Sequence, residues 1–351
     1  MIRSMLVLCA GVVALSGLAT GASAAVVGAN GHSAAQRPRP LFVVLPHKNA
    51  SNAPAALGLP NWTFTYSHGG TSYSDVFLGS APSGGGSTTI PTEIIPVKLK
   101  YGTTVENPLK KIGGVTLVQN TVNSPLFQNG IDFNQGGTDL GSTQYEDAVQ
   151  RASFWGITGT NPSYHVLLGQ PTVEPVLTLT VPLSQGTLTK DFGVSVLNVN
   201  INWFDSKIQS ALGGVSSSVL PIYMITNTYL VDPQCCIGGY HNYASSKVYD
   251  VFTYIQKSGA FSEDVSALSH ELGETINDPT TTNSSPCGIY ETGDPLENEA
   301  NYGTYPYGLG GFTYHLQDLA LPPYFGAPAT TSVNHWSTFQ GTSLSVCQNG
   351  A

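Results

Sequence analysis

One short segment concentrates the residue types that do chemistry: Ser269-His270-Glu271-Leu272-Gly273-Glu274. On an α-helix, residues four apart lie one turn above each other on the same side. The His270 imidazole and the Glu274 carboxylate can therefore grip one cation from a single turn. Zinc takes both ligand types at about 2.0–2.2 Å. A set mixing histidine with carboxylates is harder, and suits manganese or calcium as well. Asp278 extends the column by a further step of four. Glu271 sits one residue on, beside the column, where a carboxylate could take a proton from a metal-bound water.

The competing reading is an ordinary surface helix, because Val265, Leu268, Leu272 and Ile276 form an apolar stripe on the other side. Charge argues against it. From Ser258 to the C-terminus there is no Lys or Arg, yet ten carboxylates lie there, nine of them between residues 263 and 299. Carboxylates that dense repel one another unless something positive is near. A bound cation is the natural counter-charge; basic residues from the first half are the alternative. Glu291 is the favoured third ligand, since it follows the helix in a Gly- and Pro-bounded turn. Asp294, His241 and Asp278 are alternatives, and for His241 a hydrogen-bonded structural role is the preferred reading. Glu297 and Glu299 are expected to face solvent, and His315 and Asp318 to pack beside the site.

The elements that must position these groups can be read from pattern. A helix is expected over 262–277, with Ser262 as N-cap, Glu263 and Asp264 in its first turn, and Pro279 beyond its end. Further helical spacing covers 144–155 and 205–212. Strand-like runs rich in Val, Ile, Thr and Tyr cover 90–100, 173–181, 194–203, 219–230 and 248–255. Residues 80–89 read as a flexible loop, and 25–60 as a linker or short pro-segment. The expected fold is a β-rich single domain of α+β type over 61–351, carrying a zincin-like helix at 262–277.

The first 24 residues have the order of a secretory signal: Arg3, an apolar run from Met5 to Leu18, then Ala22-Ser23-Ala24. Export and a soluble mature chain follow as expectations, with no membrane insertion. The net charge of −9 argues against nucleic-acid binding, which needs clustered basic residues. Cys235, Cys236, Cys287 and Cys347 are disulfide candidates in an oxidising compartment. Adjacent cysteines bridge each other only with strain, so Cys235 and Cys236 are expected to pair with Cys287 and Cys347, in either order. No nucleophile elbow, phosphate-cradling loop or dinucleotide fingerprint is present.

The histidine–glutamate pattern is close to the H-E-x-x-H helix of metalloproteases, with Glu274 in place of the second histidine. Ala267–Glu274, followed by Asn277-Asp278-Pro279, resembles the corresponding helix of the plant EXORDIUM / phosphate-induced protein family and its bacterial relatives. The acidic turn Glu291-Thr292-Gly293-Asp294 and the element from Cys236 to His241 are similar too, so the resemblance covers about residues 219–300. It implies an extracellular protein, cell-wall-associated in the plant members, with a zincin-like helix and no established reaction. The expectation for this chain is a secreted metalloprotein, most simply zinc-binding. As a metallohydrolase it would use Glu271 as catalytic base, with His270, Glu274 and Glu291 as ligands, on an extracellular peptide. As a non-catalytic protein it would use the same site for structural metal or a cell-wall glycan.

Overall fold

The run Leu220–Thr226 is buried at every position. That is why it is apolar throughout rather than alternating: a strand covered on both faces has no solvent side. It belongs to an eleven-stranded mixed sheet. The computed structural model describes residues 41–42, 57–135, 138–286, 288–297, 303–321 and 337–339. The expected signal segment, most of the expected linker, Glu299, Cys287 and Cys347 lie outside them.

In chain order the sheet strands are β1 (Leu41–Phe42), β2 (Thr92–Tyr101), β3 (Thr104–Glu106), β4 (Thr172–Val173), β5 (Leu177–Thr180), β6 (Gly186–Asp191), β7 (Val194–Asn200), β8 (Leu220–Thr226), β9 (Thr228–Asp232), β10 (Gln234–Ala244) and β11 (Lys247–Tyr254). The main path runs β4-β2-β8-β11-β10-β9-β7-β6, with β1 on β10 and both β3 and β5 on β2. Helices α1 (Leu117–Val122), α2 (Tyr145–Ser153), α3 (Ile201–Ala211) and α4 (Ser266–Asn277) supply the layers around it. Ile222, Met224 and Phe252 share one core with Val118 of α1, Ala148 of α2, and Leu268 and Leu272 of α4. The alternate residues Tyr223, Ile225 and Val251 pack against Phe204 and Ile208 of α3. This is the β-rich α+β domain the sequence pattern leads one to expect.

Local chemistry moves several boundaries. The expected strand over 194–203 stops at Asn200, whose side-chain carbonyl caps α3 by accepting from Trp203 N at 3.0 Å. The expected strand over 219–230 is two strands, because Asn227 takes a left-handed backbone (φ 43°) between them, a conformation Asn tolerates better than most residues. Residues 87–89, read as loop, join Ile90 in a strand parallel to His165–Leu168.

The chemistry-bearing helix starts at Ser266, four residues later than expected. Ser262 donates to Thr253 O at 2.7 Å instead of capping. Asp264 takes φ 41° and accepts from the main chain of Val265 and of His315, at 2.5 and 2.9 Å. The two acidic residues thus serve a turn before the helix rather than its first turn. Gly273, costly inside a helix by up to about 1 kcal/mol, has a packing reason. A Cβ there would run into Leu319 and lie 3.2 Å from Glu146 Oε2.

Candidate metal centre

Helix α4 is buried along its whole length. It rests on β10 and β11, and the strand Phe312–Gln317 and the hairpin strand Thr71–Leu78 also pack against it. The solvated acidic face that competed with a metal site is therefore absent: His270 and Glu271 are 0 % exposed and Glu274 is 2 %. Glu297, expected in solvent, is buried too and accepts from Phe42 N at 2.5 Å. The reason is that β1 crosses this end of the sheet and its backbone needs an acceptor there.

His270 is held from three sides. Its Nδ1 donates to Gln317 Oε1, which makes Nε2 the nitrogen that would bind a cation, as second partners do for metal-bound histidines. Phe42 stacks on the ring at 3.8 Å between centroids. Gly293 packs against Nδ1, Cε1 and Cγ of the ring so closely that any Cβ there would overlap it. Nε2 then faces Glu274 Oε2 at 3.1 Å and Asp294 Oδ1 at 3.5 Å, and forms no hydrogen bond of good geometry. The turn that brings Asp294 is pinned to the helix by Gly293 N, which donates to Glu274 Oε1 at 2.9 Å.

The expected pair His270–Glu274 is thus brought together, and the third group on its Nε2 is the alternative, Asp294. Glu291, the favoured third ligand, lies on the far side of Glu274, with Oε2 4.0 Å from His241 Nε2. Both Glu291 oxygens are buried without a hydrogen-bond partner. Glu271 points away from His270 toward β10, with Oε2 3.4 Å from His241 Nδ1, into room left by the missing side chain of Gly239. His241 Nδ1 is also 3.7 Å from Glu274 Oε2, and its Nε2 meets the main-chain oxygen of Asp278 at 3.2 Å. Asp278 has a structural task. Its Oδ1 accepts from Thr282 N and Asn283 N, at 2.9 and 3.0 Å, closing the turn after the helix.

Electrostatics follow from burial without a basic partner. Burial and the neighbouring Glu274 push Asp294 up to about 6. Burial raises Asp250 to about 8, helped by Glu274 and opposed by a hydrogen bond from Thr275. Glu271 and Glu291 are pushed well above the usual carboxylate range, first by burial and then by adjacent carboxylates. Glu274 goes the other way, because His270 and His241 outweigh its burial. Burial acts to lower His270, but Glu274, Asp294 and Glu271 raise it well above an ordinary histidine. The buried arginine among the described residues, Arg151, donates to the carbonyls of Leu140 and Tyr164 rather than to a carboxylate of this cluster.

Sequence reasoning missed Phe42, Gln317, Glu146 and Asp250. Phe42 had a signal, since Leu41–Leu45 is an apolar run between prolines. Gln317 lies between Leu316 and Asp318, and its role depends on which way the strand faces. The sulfurs of Cys235 and Cys236 lie in contact with each other, where both were expected to reach Cys287 and Cys347, outside the described residues. His315 packs not beside His270 but against Asp264, with Nδ1 2.6 Å from Oδ2. No helix among the described residues is long and apolar enough to cross a membrane. No protein-family model, curated protein or solved structure matches this chain.

Proposed function

We propose that this is an exported protein built around a buried divalent-cation centre, with His270, Glu274 and Asp294 as its core ligands. The observation that carries this reading is the fully buried Nε2 of His270. Its partner nitrogen is already committed to Gln317 Oε1, and it faces two carboxylate oxygens at 3.1 and 3.5 Å. Buried polar atoms are almost always satisfied, and buried charges are paired or bind metals. The ligand atoms are spaced as neighbours around an ion with bonds of about 2.0–2.2 Å would be. One nitrogen with several carboxylate oxygens fits zinc or manganese, with calcium as the harder limit.

The signal-like N-terminus and the likeness of residues 219–300 to an extracellular family support export and contact with a cell-wall polymer or peptide. Burial of all three core ligands favours a cation that holds the fold together. A second reading, a zincin-like metallohydrolase, draws on Glu271, whose Oε1 is buried without a partner and could act as base. The test is elemental analysis of the mature protein after chelation and reloading, beside His270→Ala. Bound zinc or manganese in the wild type and less of it in the variant supports the reading. No metal in either overturns it. A peptidase activity lost in Glu271→Gln with metal retained would establish the hydrolase.

A further inference from the structure

The ligand atoms do not form one group around one point. They form two triads that share a single atom, Glu274 Oε2. The first is His270 Nε2, Glu274 Oε2 and Asp294 Oδ1. The second is His241 Nδ1, Glu271 Oε2 and Glu274 Oε2, with separations of 3.4 and 3.7 Å from the histidine nitrogen. The two histidine nitrogens never fall in the same triad. One ion with bonds of about 2.0–2.2 Å cannot bind atoms much more than about 4.4 Å apart.

We propose that the centre holds two divalent cations bridged by Glu274, one on His270 and Asp294 and the other on His241 and Glu271. This rests on the cation reading above and deepens it. The second triad is built like the first. The main-chain oxygen of Asp278 can only accept, so His241 Nε2 is the donor at 3.2 Å, and Nδ1 keeps the lone pair for a metal. Glu274 is placed to bridge: its Oε1 accepts from Gly293 N, so Oε2 is the oxygen turned to both histidines.

Charge points the same way. Glu271, Glu274, Glu291 and Asp294 are all buried around the two imidazoles, and two dications would neutralise all four carboxylates once their protons are displaced. Glu291 is not part of the second triad: its Oε2 lies 4.0 Å from His241 Nε2, the nitrogen that donates to Asp278. Paired ions bridged by carboxylates stand about 3.5–4 Å apart in other proteins. On this reading Glu271 is a ligand rather than a base.

The experiment is metal titration of the chelated, full-length mature chain with manganese. It is followed by elemental analysis and by electron paramagnetic resonance, which separates a magnetically coupled pair of ions from an isolated one. The expected result is two equivalents per chain and a coupled spectrum. Glu271→Gln and His241→Ala should each fall to one equivalent with an uncoupled signal, and Glu274→Gln should lose both. One equivalent in the wild type, kept in Glu271→Gln, would overturn the paired centre and leave the single-cation reading standing. No manganese or zinc in the wild type would remove both. The wild-type spectrum decides the matter even where a variant does not fold.

Discussion

Two of the places where histidine meets carboxylates among the described residues end in different states. At the mouth of α4, His315 faces Asp264 Oδ2 at 2.6 Å and Glu263 Oε1 at 3.5 Å. Asp264 also accepts from two main-chain amides, and Glu263 accepts from Gly259 N at 2.7 Å. The histidine side chain is 23 % exposed. This cluster completes its own bonding and keeps contact with water. One turn further along, His270 has the same kind of neighbours but no exposure, and nitrogen and oxygen atoms are left without partners. Residue type does not separate an ion pair from a cation site. Unfinished bonding under complete burial does.

The sharpest way to break the comparison is to remove each histidine in turn. His270→Ala should lower the stability of the metal-loaded protein by about 3–5 kcal/mol, as removing one member of a buried charged group does. His315→Ala should cost about 1 kcal/mol or less, typical of partly exposed pairs. Thermal or denaturant unfolding of both variants checks this, and equal losses would erase the distinction. A chelator should lower the wild-type melting temperature, and lower that of His270→Ala by less.

A smaller effect comes from the support of the ring. Gly293→Ala would push a Cβ into the His270 imidazole, so it should weaken metal binding about 10- to 100-fold, as loss of an orienting contact does. Competition with a chromophoric chelator measures it. The same substitution should leave the His315 cluster unaffected.

With metal bound, the two regions should also respond to pH with opposite sign. His315 is raised above 6.5, chiefly by its hydrogen bond to Asp264. Its stabilisation is therefore complete below that value and is lost as pH rises through the raised one. At the buried centre, protons compete with the cation. Asp294, held up to about 6, should weaken metal binding by about tenfold per pH unit below that point. Without metal, the raised carboxylates Asp294 and Asp250 hold protons that the unfolded chain releases near its usual values. The metal-free protein should thus lose stability from about pH 4 to 8, and its gap from the metal-loaded form should widen. Melting curves across that range, with and without zinc, check the sign.

Composition and spacing alone determined a good deal. The i, i+4 step makes His270 and Glu274 neighbours in any helix, because helix geometry is local. The absence of Lys and Arg after Lys257 makes the charge problem visible without a fold. β-Branched and aromatic runs marked most of the sheet, for the same local reason. Boundaries set by one side chain, such as the cap at Asn200 or the left-handed turn at Asn227, blurred those runs because apolar pattern does not register them.

Only the tertiary structure decided which groups meet. Asp294 rather than Glu291 stands at His270 because Gly293 docks its turn on Glu274. His241 reaches Glu271 because β10 passes under the helix with its alternate residues facing up. Gln317 and Phe42, which lie 47 residues after and 228 residues before His270 in the chain, set its free nitrogen and cover its ring. Those contacts depend on sheet order and on burial from every side. Neither is encoded in the spacing of a motif, and both are needed to turn a column of ionisable residues into a cation centre.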